Sequence, residues 1–122
     1  MAKIDLEAST ERFAKCWLQA EAERKFRFVT EHKFHDKRKF RFDIAFLPEK
    51  VAVELDGAVF TQGRHTRGKG FIQDCVKKNL AAELGWVVLV YPVKTLNDNP
   101  QEVIEQVIRV LELRQKQLKG TE

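Results

Sequence analysis

The sequence lacks most of what marks a secreted, membrane-bound or fibrous protein. It has only two cysteines, Cys16 and Cys75, and they fit neither a metal-ligand spacing nor a disulfide framework. Each falls in a helical pattern, where a free cysteine behaves as a small apolar residue. A reduced, cytoplasmic setting is the simplest reading. The longest apolar run, Trp86 to Val90, is the length of a strand and far too short to cross a bilayer, so no membrane partner is expected. No signal-peptide pattern, internal repeat or low-complexity segment is visible.

Charge is not lopsided overall. Lysine and arginine number 22 against 18 acids, for a net charge of +4, and that balance alone says little. Its distribution says more. Between Arg24 and Arg41 there are eight basic residues and two acids, Glu31 and Asp36. A second basic group, Arg64, Arg67, Lys69, Lys77 and Lys78, follows later. Such clustering favours a polyanionic partner, although scattered surface lysines also serve solubility. At 122 residues the chain is expected to form one domain, residues 1–122, with a real core.

The most informative stretch runs from Arg41 to Gly57. Phe40, Phe42, Ile44 and Phe46 alternate with Arg41, Asp43 and Ala45, and Val51, Val53 and Leu55 alternate with Ala52, Glu54 and Asp56. This period predicts two strands, each with one apolar face, and puts Asp43, Glu54 and Asp56 together on the other face. Leu47-Pro48-Glu49-Lys50 suits a four-residue loop around a type I turn. Pairing outward from it sets Asp43 opposite Glu54 and Arg41 opposite Asp56. Opposed carboxylates repel, and a sheet that tolerates them usually holds a cation between them. A divalent-metal site is one reading; the solvated face of an amphipathic hairpin is the other.

Elsewhere, residues 1–9 read as a loose lead-in or as helical already from Asp5, and Ser9 or Thr10 can cap a helix running to about Ala22, buried through Phe13, Cys16, Trp17 and Ala20. Lys25 to Val29 reads as a first strand. Thr30 to Arg38 reads as a polar turn in which His32 and His35 are surface or loop residues rather than ligands. Gly57 to Gly70 holds four glycines, His65 and three basic residues, a composition suited to a loop that approaches a ligand closely. Phe71 to Leu84 is a predicted helix, with Phe71, Cys75, Val76, Leu80 and Leu84 as its apolar face and Gly85 as its stop. Trp86 to Tyr91 predicts a strand buried on both faces, reached by a crossover. Asn99 and Pro100 open a last helix whose broad apolar face includes Val103, Ile104, Val107 and Leu111.

Five pieces then fall in a telling order: Arg41-Phe42-Asp43, Val53-Glu54-Leu55-Asp56-Gly57, Gly63 to Gly68, Asp74-Cys75-Val76-Lys77 and Gly85 to Leu89. Together they resemble the PD-(D/E)XK, or restriction-endonuclease-like, nucleases, and among these the small relatives of very-short-patch-repair endonucleases found in bacteria and phages. The resemblance implies an α/β fold with an αβββαβ core. A mixed four-stranded sheet would be flanked by helices, with an extra C-terminal helix. It also implies magnesium-dependent cleavage of DNA phosphodiesters, with manganese as a substitute. Asp43 and Glu54 match the metal-binding acids, with the carbonyl of Leu55 as a third ligand. The lysine that the family carries two residues after the glutamate is replaced here by Asp56, which becomes a candidate further ligand. Relatives that move this lysine to the following helix point to Lys77 first, then Lys78 and Lys69. A glutamate on the first helix matches Glu11, with Glu7 as the fallback, and His65 is a candidate proton carrier.

Arg41, Arg64, Arg67, Lys69 and Lys78 are the candidate phosphate contacts, which position a substrate without reading its sequence. The expected activity is that of an endonuclease directed by DNA structure: a junction, flap, nick or mismatch. A role on four-way junctions would require a homodimer, for which the last helix offers an apolar face if the sheet does not claim it. The competing readings are a non-catalytic nucleic-acid-binding module of the same fold and an RNA-cleaving enzyme.

Overall fold

A computed structural model of the chain describes residues 6–57 and 68–120. Helix α1 (Leu6–Gln19) leads through a 3-10 turn (Ala22–Arg24) into strand β1 (Val29–Lys33), followed by β2 (Arg41–Phe46) and β3 (Val51–Asp56). Helix α2 (Lys69–Glu83) then precedes β4 (Val87–Pro92), a short helix α3 (Val93–Asp98) and the long α4 (Pro100–Gly120). The four strands form one sheet in sequence order. β1, β2 and β3 are antiparallel neighbours, and β4 runs parallel to β3. Parallel neighbours need a crossover, and α2 supplies it. This is the α/β architecture expected of the chain, with α3 as an addition that its sequence did not announce.

The hairpin forms as its turn chemistry dictates. The Lys50 N–H donates to the Leu47 carbonyl at 3.3 Å, and Ile44, Ala45 and Phe46 pair with Val53, Ala52 and Val51. Lys50 takes a left-handed φ of 56° to close the loop.

The main core lies on one face of the sheet. Phe13 and Trp17 from α1 meet Ile44, Phe46, Val51, Val53 and Leu55 there, with Val103, Ile104, Val107 and Leu111 of α4 completing the layer. Phe13, Trp17, Phe28 and Phe46 form an aromatic cluster with centroids 5.1–6.3 Å apart. Each such ring, once buried, contributes roughly 2–3 kcal/mol. The apolar stripe of α4 is therefore spent on the sheet. Among the described residues the other face is thinly covered: Phe42, Ala45 and Ala52 pack on Ala81 of α2, with Phe34, Trp86 and Val88 around them.

Several sequence expectations give way here. Helix α1 starts at Leu6, so Ser9 and Thr10 are inside it rather than capping it, and it stops at Gln19, leaving Ala20 exposed. The first strand is Val29–Lys33, in the segment expected to turn; Phe26 and Phe28 reach the core from irregular backbone. Strand β4 is an edge of the described sheet, with Val87 36% and Val90 43% exposed, because nothing among the described residues pairs beyond it. In α2 only Ala81 is buried, and Phe71 is 56% exposed, because the helix meets the sheet through its C-terminal half.

Phe42 also leaves the face shared by Ile44 and Phe46. It joins Ala45, three residues away, in the smaller cluster, so the alternation slips between them. Across the β1–β2 ladder the slip lies beside Glu31, which falls between the pairs Thr30↔Ile44 and His32↔Phe42. Glu31 holds a left-handed φ of 52°, unusual for a non-glycine residue.

Candidate active site

The ladder between β2 and β3 stops at Ile44↔Val53. Beyond it β3 keeps its parallel pairing with β4 out to Asp56↔Pro92, while side chains take over the link to β2. The Asp43 N–H donates to Glu54 Oε2 at 2.8 Å, and the Leu55 N–H donates to Asp43 Oδ2 at 2.7 Å. Asp43 and Glu54 are thus neighbours across the two strands, as the register required. Direct repulsion is partly offset because each carboxylate accepts a backbone N–H from the strand opposite.

A third group closes the arrangement. Lys77 reaches from α2 to Glu54 Oε1, and its ammonium also lies 5.7 Å from the centre of the Phe42 ring. The side chains of Lys77 and Glu54 are each 19% exposed. Burial pushes the Glu54 carboxyl above the usual carboxylate range, outweighing the Lys77 hydrogen bond and charge that pull it down. A partly desolvated carboxylate with a second carboxylate, Asp43, beside it is suited to share a cation with that neighbour.

These groups line a cleft of about 620 Å³ between the sheet and α2, together with Leu55, Asp56, Asp74, Lys78 and exposed apolar side chains such as Phe71 and Val90. Lys78 pairs with Asp74 at 3.1 Å on the helix surface. Asp56 is exposed at the end of β3. Of the expected site residues, Asp43, Glu54, Leu55, Asp56, Lys77 and Lys78 therefore come together. Lys69 is exposed at the start of α2, and Arg41 is exposed at the start of β2 beside Lys33. Glu11 does not join them; it lines a separate hollow with Arg12, Lys15, Val93 and Asn97. This separation follows from α1 packing on the opposite face of the sheet. The side chain of Glu7, and Arg64, His65 and Arg67, lie outside the described residues.

Among the described residues no cluster of three or more His, Cys, Asp or Glu side chains is arranged to hold a metal ion. Magnesium does not need one. It is commonly held by one or two carboxylates, with waters and substrate phosphate oxygens filling the shell. The oxygen-only pair Asp43 and Glu54 fits such a hard cation and does not fit zinc, which favours histidine and cysteine.

The sequence marked the segment after β1 as a polar, basic turn but gave it no place in the site. There the His35 ring accepts hydrogen bonds from the Lys37 and Arg38 N–H groups at 3.1 and 3.2 Å, and Arg38 donates to Gln73 of α2 at 3.3 Å. The dense basic run was the one signal pointing to this segment.

No family model matches the chain, and no curated protein sequence matches it significantly. Among solved structures, the chain is similar to the catalytic domain of the homing endonuclease I-Bth0305I. The two superpose with a TM-score of 0.64 over 87% of this chain and 95% of the other, at 16% identity. At that identity the likeness is one of fold: a nuclease-like arrangement of a mixed four-stranded sheet, flanking helices and a C-terminal helix.

Proposed function

We propose that this protein is a magnesium-dependent DNA endonuclease of the PD-(D/E)XK kind, with manganese able to substitute. The observation that carries this reading is the meeting of Asp43, Glu54 and Lys77 in one cleft, on a fold shared with a homing endonuclease catalytic domain. Asp43 and Glu54 would hold the metal, with the Leu55 carbonyl and Asp56 as further oxygen donors. When bound, the metal would polarise a phosphoryl oxygen and lower the pKa of a water. The protein's own groups do the rest. The crossed hydrogen bonds from the Asp43 and Leu55 N–H groups fix both carboxylates before substrate arrives, which limits reorganisation during reaction. Lys77 brings a positive charge to the place where negative charge develops, the role the family assigns to the lysine that Asp56 displaces. Lys69, Lys78 and Arg41, with Arg64 and Arg67, are proposed to take flanking phosphates, and His65 to carry a proton. The preference proposed is for DNA structure: junctions, flaps, nicks or mismatches.

The test is cleavage of linear, nicked, flapped and four-way DNA with magnesium or manganese. Wild-type protein is expected to cut, whereas Asp43→Ala and Glu54→Ala are expected to bind DNA without cutting. A second reading, a non-catalytic nucleic-acid-binding module of this fold, draws on one observation: Lys77 already neutralises Glu54 from within. Wild-type binding with no cutting under either metal would leave that module as the answer.

A further inference from the structure

The eight basic residues between Arg24 and Arg41 do not form one surface. Arg24 pairs with Glu21 at 3.3 Å and Lys25 with Glu112 at 3.4 Å. Both precede β1, and Lys25 is held against α4, which packs on the face of the sheet opposite α2. Lys37, Arg38 and Lys39 instead follow Lys33, which pairs with Arg41. They leave the sheet at the end where β3 reaches Asp56 and the cleft opens.

There the chain is built rather than loose. The His35 side chain is 19% exposed, and its Nδ1 ties down two successive backbone N–H groups, those of Lys37 and Arg38. Phe34 stacks on Phe42, centroids 4.1 Å apart with planes at 7°, and lies near-parallel to Phe40 with centroids 6.4 Å apart. The Arg38 guanidinium lies 4.8 Å from the centre of the Phe40 ring and bonds Gln73, one helical turn before Lys77. Phe42 in turn lines the cleft and sits under the Lys77 ammonium. Lysines that only solubilise a surface need no such fixed backbone. Three consecutive cations on a held turn, against the single acid Asp36, match a run of phosphates.

We propose that the turn from His35 to Phe40 is a preformed basic arm that grips the sugar-phosphate backbone of DNA running out of the cleft. The arm rests on the nuclease reading for its substrate but not on catalysis for its test. The full-length protein is titrated, in EDTA, against a fluorescently labelled flapped DNA duplex at several salt concentrations. Replacing Lys37 and Lys39 together by alanine should lower the slope of log K against log salt by about 2. Replacing Lys116 and Lys119 should leave it unchanged; they lie beyond Arg114, which is anchored at the opposite end of the sheet. His35→Leu, which removes the acceptor, should weaken binding. His35→Asn, whose side-chain oxygen can accept the same N–H groups, should restore it.

Equal effects from the two lysine pairs, no effect from Lys37 and Lys39, or identical binding by the two His35 variants would overturn the arm. Each variant is checked for a wild-type melting curve, and an unfolded His35→Leu leaves the lysine comparison to decide. Absence of cutting with either magnesium or manganese, by contrast, overturns the nuclease reading and leaves the arm standing on its salt slope.

Discussion

Lys77 on α2 is bonded to Glu54 on β3, 23 residues earlier in the chain. The pair joins the crossover helix to the sheet at the one place where the β2–β3 ladder has stopped. Removing only the lysine leaves a mostly buried carboxylate without a counter-charge. Lys77→Met is therefore expected to cost on the order of 2 kcal/mol in metal-free urea unfolding, less than a fully buried pair would. Adding Glu54→Gln should recover much of that loss. A Lys77→Met protein as stable as wild type would mean the ion pair contributes nothing.

The same residue separates catalysis from binding. Lys77→Ala should reduce kcat roughly 100-fold or more while DNA affinity changes little, the range seen when one preorganised electrostatic group is lost. An unchanged turnover number would transfer the role to Lys78 or Lys69.

Tyr91 offers a titration free of overlap, because it is the single tyrosine in the chain. Burial pushes its hydroxyl up to about 12, against the opposing charge of Arg109, and the hydroxyl bonds Gln106 at 2.7 Å. Tyrosinate absorbance should rise with a midpoint near that value rather than at the ordinary 10. The unfolded chain releases this proton first, so the contribution to stability is complete below pH 10 and is lost as the pH climbs to about 12. In Tyr91→Phe that part of the alkaline loss should vanish; an identical pH profile would assign it to other groups.

Arg114 fastens α4 to the far end of the sheet, its guanidinium bonding the carbonyls of Glu49 and Gly85. Arg114→Ala is expected to cost about 1–3 kcal/mol in thermal or urea unfolding, since two carbonyls lose a charged donor. Gly85→Ala probes the same corner differently. A methyl there meets nothing nearer than 3.8 Å, so its expected cost of about 1 kcal/mol comes from the φ of 86° alone. A much larger loss would show that the corner is more tightly packed than this geometry implies.

The hairpin was the legible part of this protein. Alternation from Ile44 to Phe46 and from Val51 to Asp56, joined by Leu47-Pro48-Glu49-Lys50, was enough to set Asp43 beside Glu54, because a strand's side chains repeat every two residues and the turn leaves one register. Phe42 defeated the same rule. Its face depends on the slip beside Glu31 and on the aromatic neighbours Phe34 and Trp86, none of which local periodicity records. Glu11 was misplaced for a similar reason: its helix position was readable, but not the face of the sheet on which that helix would lie.

The central hairpin, its turn chemistry and the adjacency of the two acids were thus written in the sequence, since each is fixed by interactions within a few residues or by pattern along a strand. Which lysine answers Glu54, how thinly the α2 face is covered, and how His35, Arg38 and Gln73 bring a basic turn to the cleft were decided only by packing. Those contacts join segments far apart in the chain, and their free energies come from burial and hydrogen bonds that exist only once the sheet and helices have closed on one another.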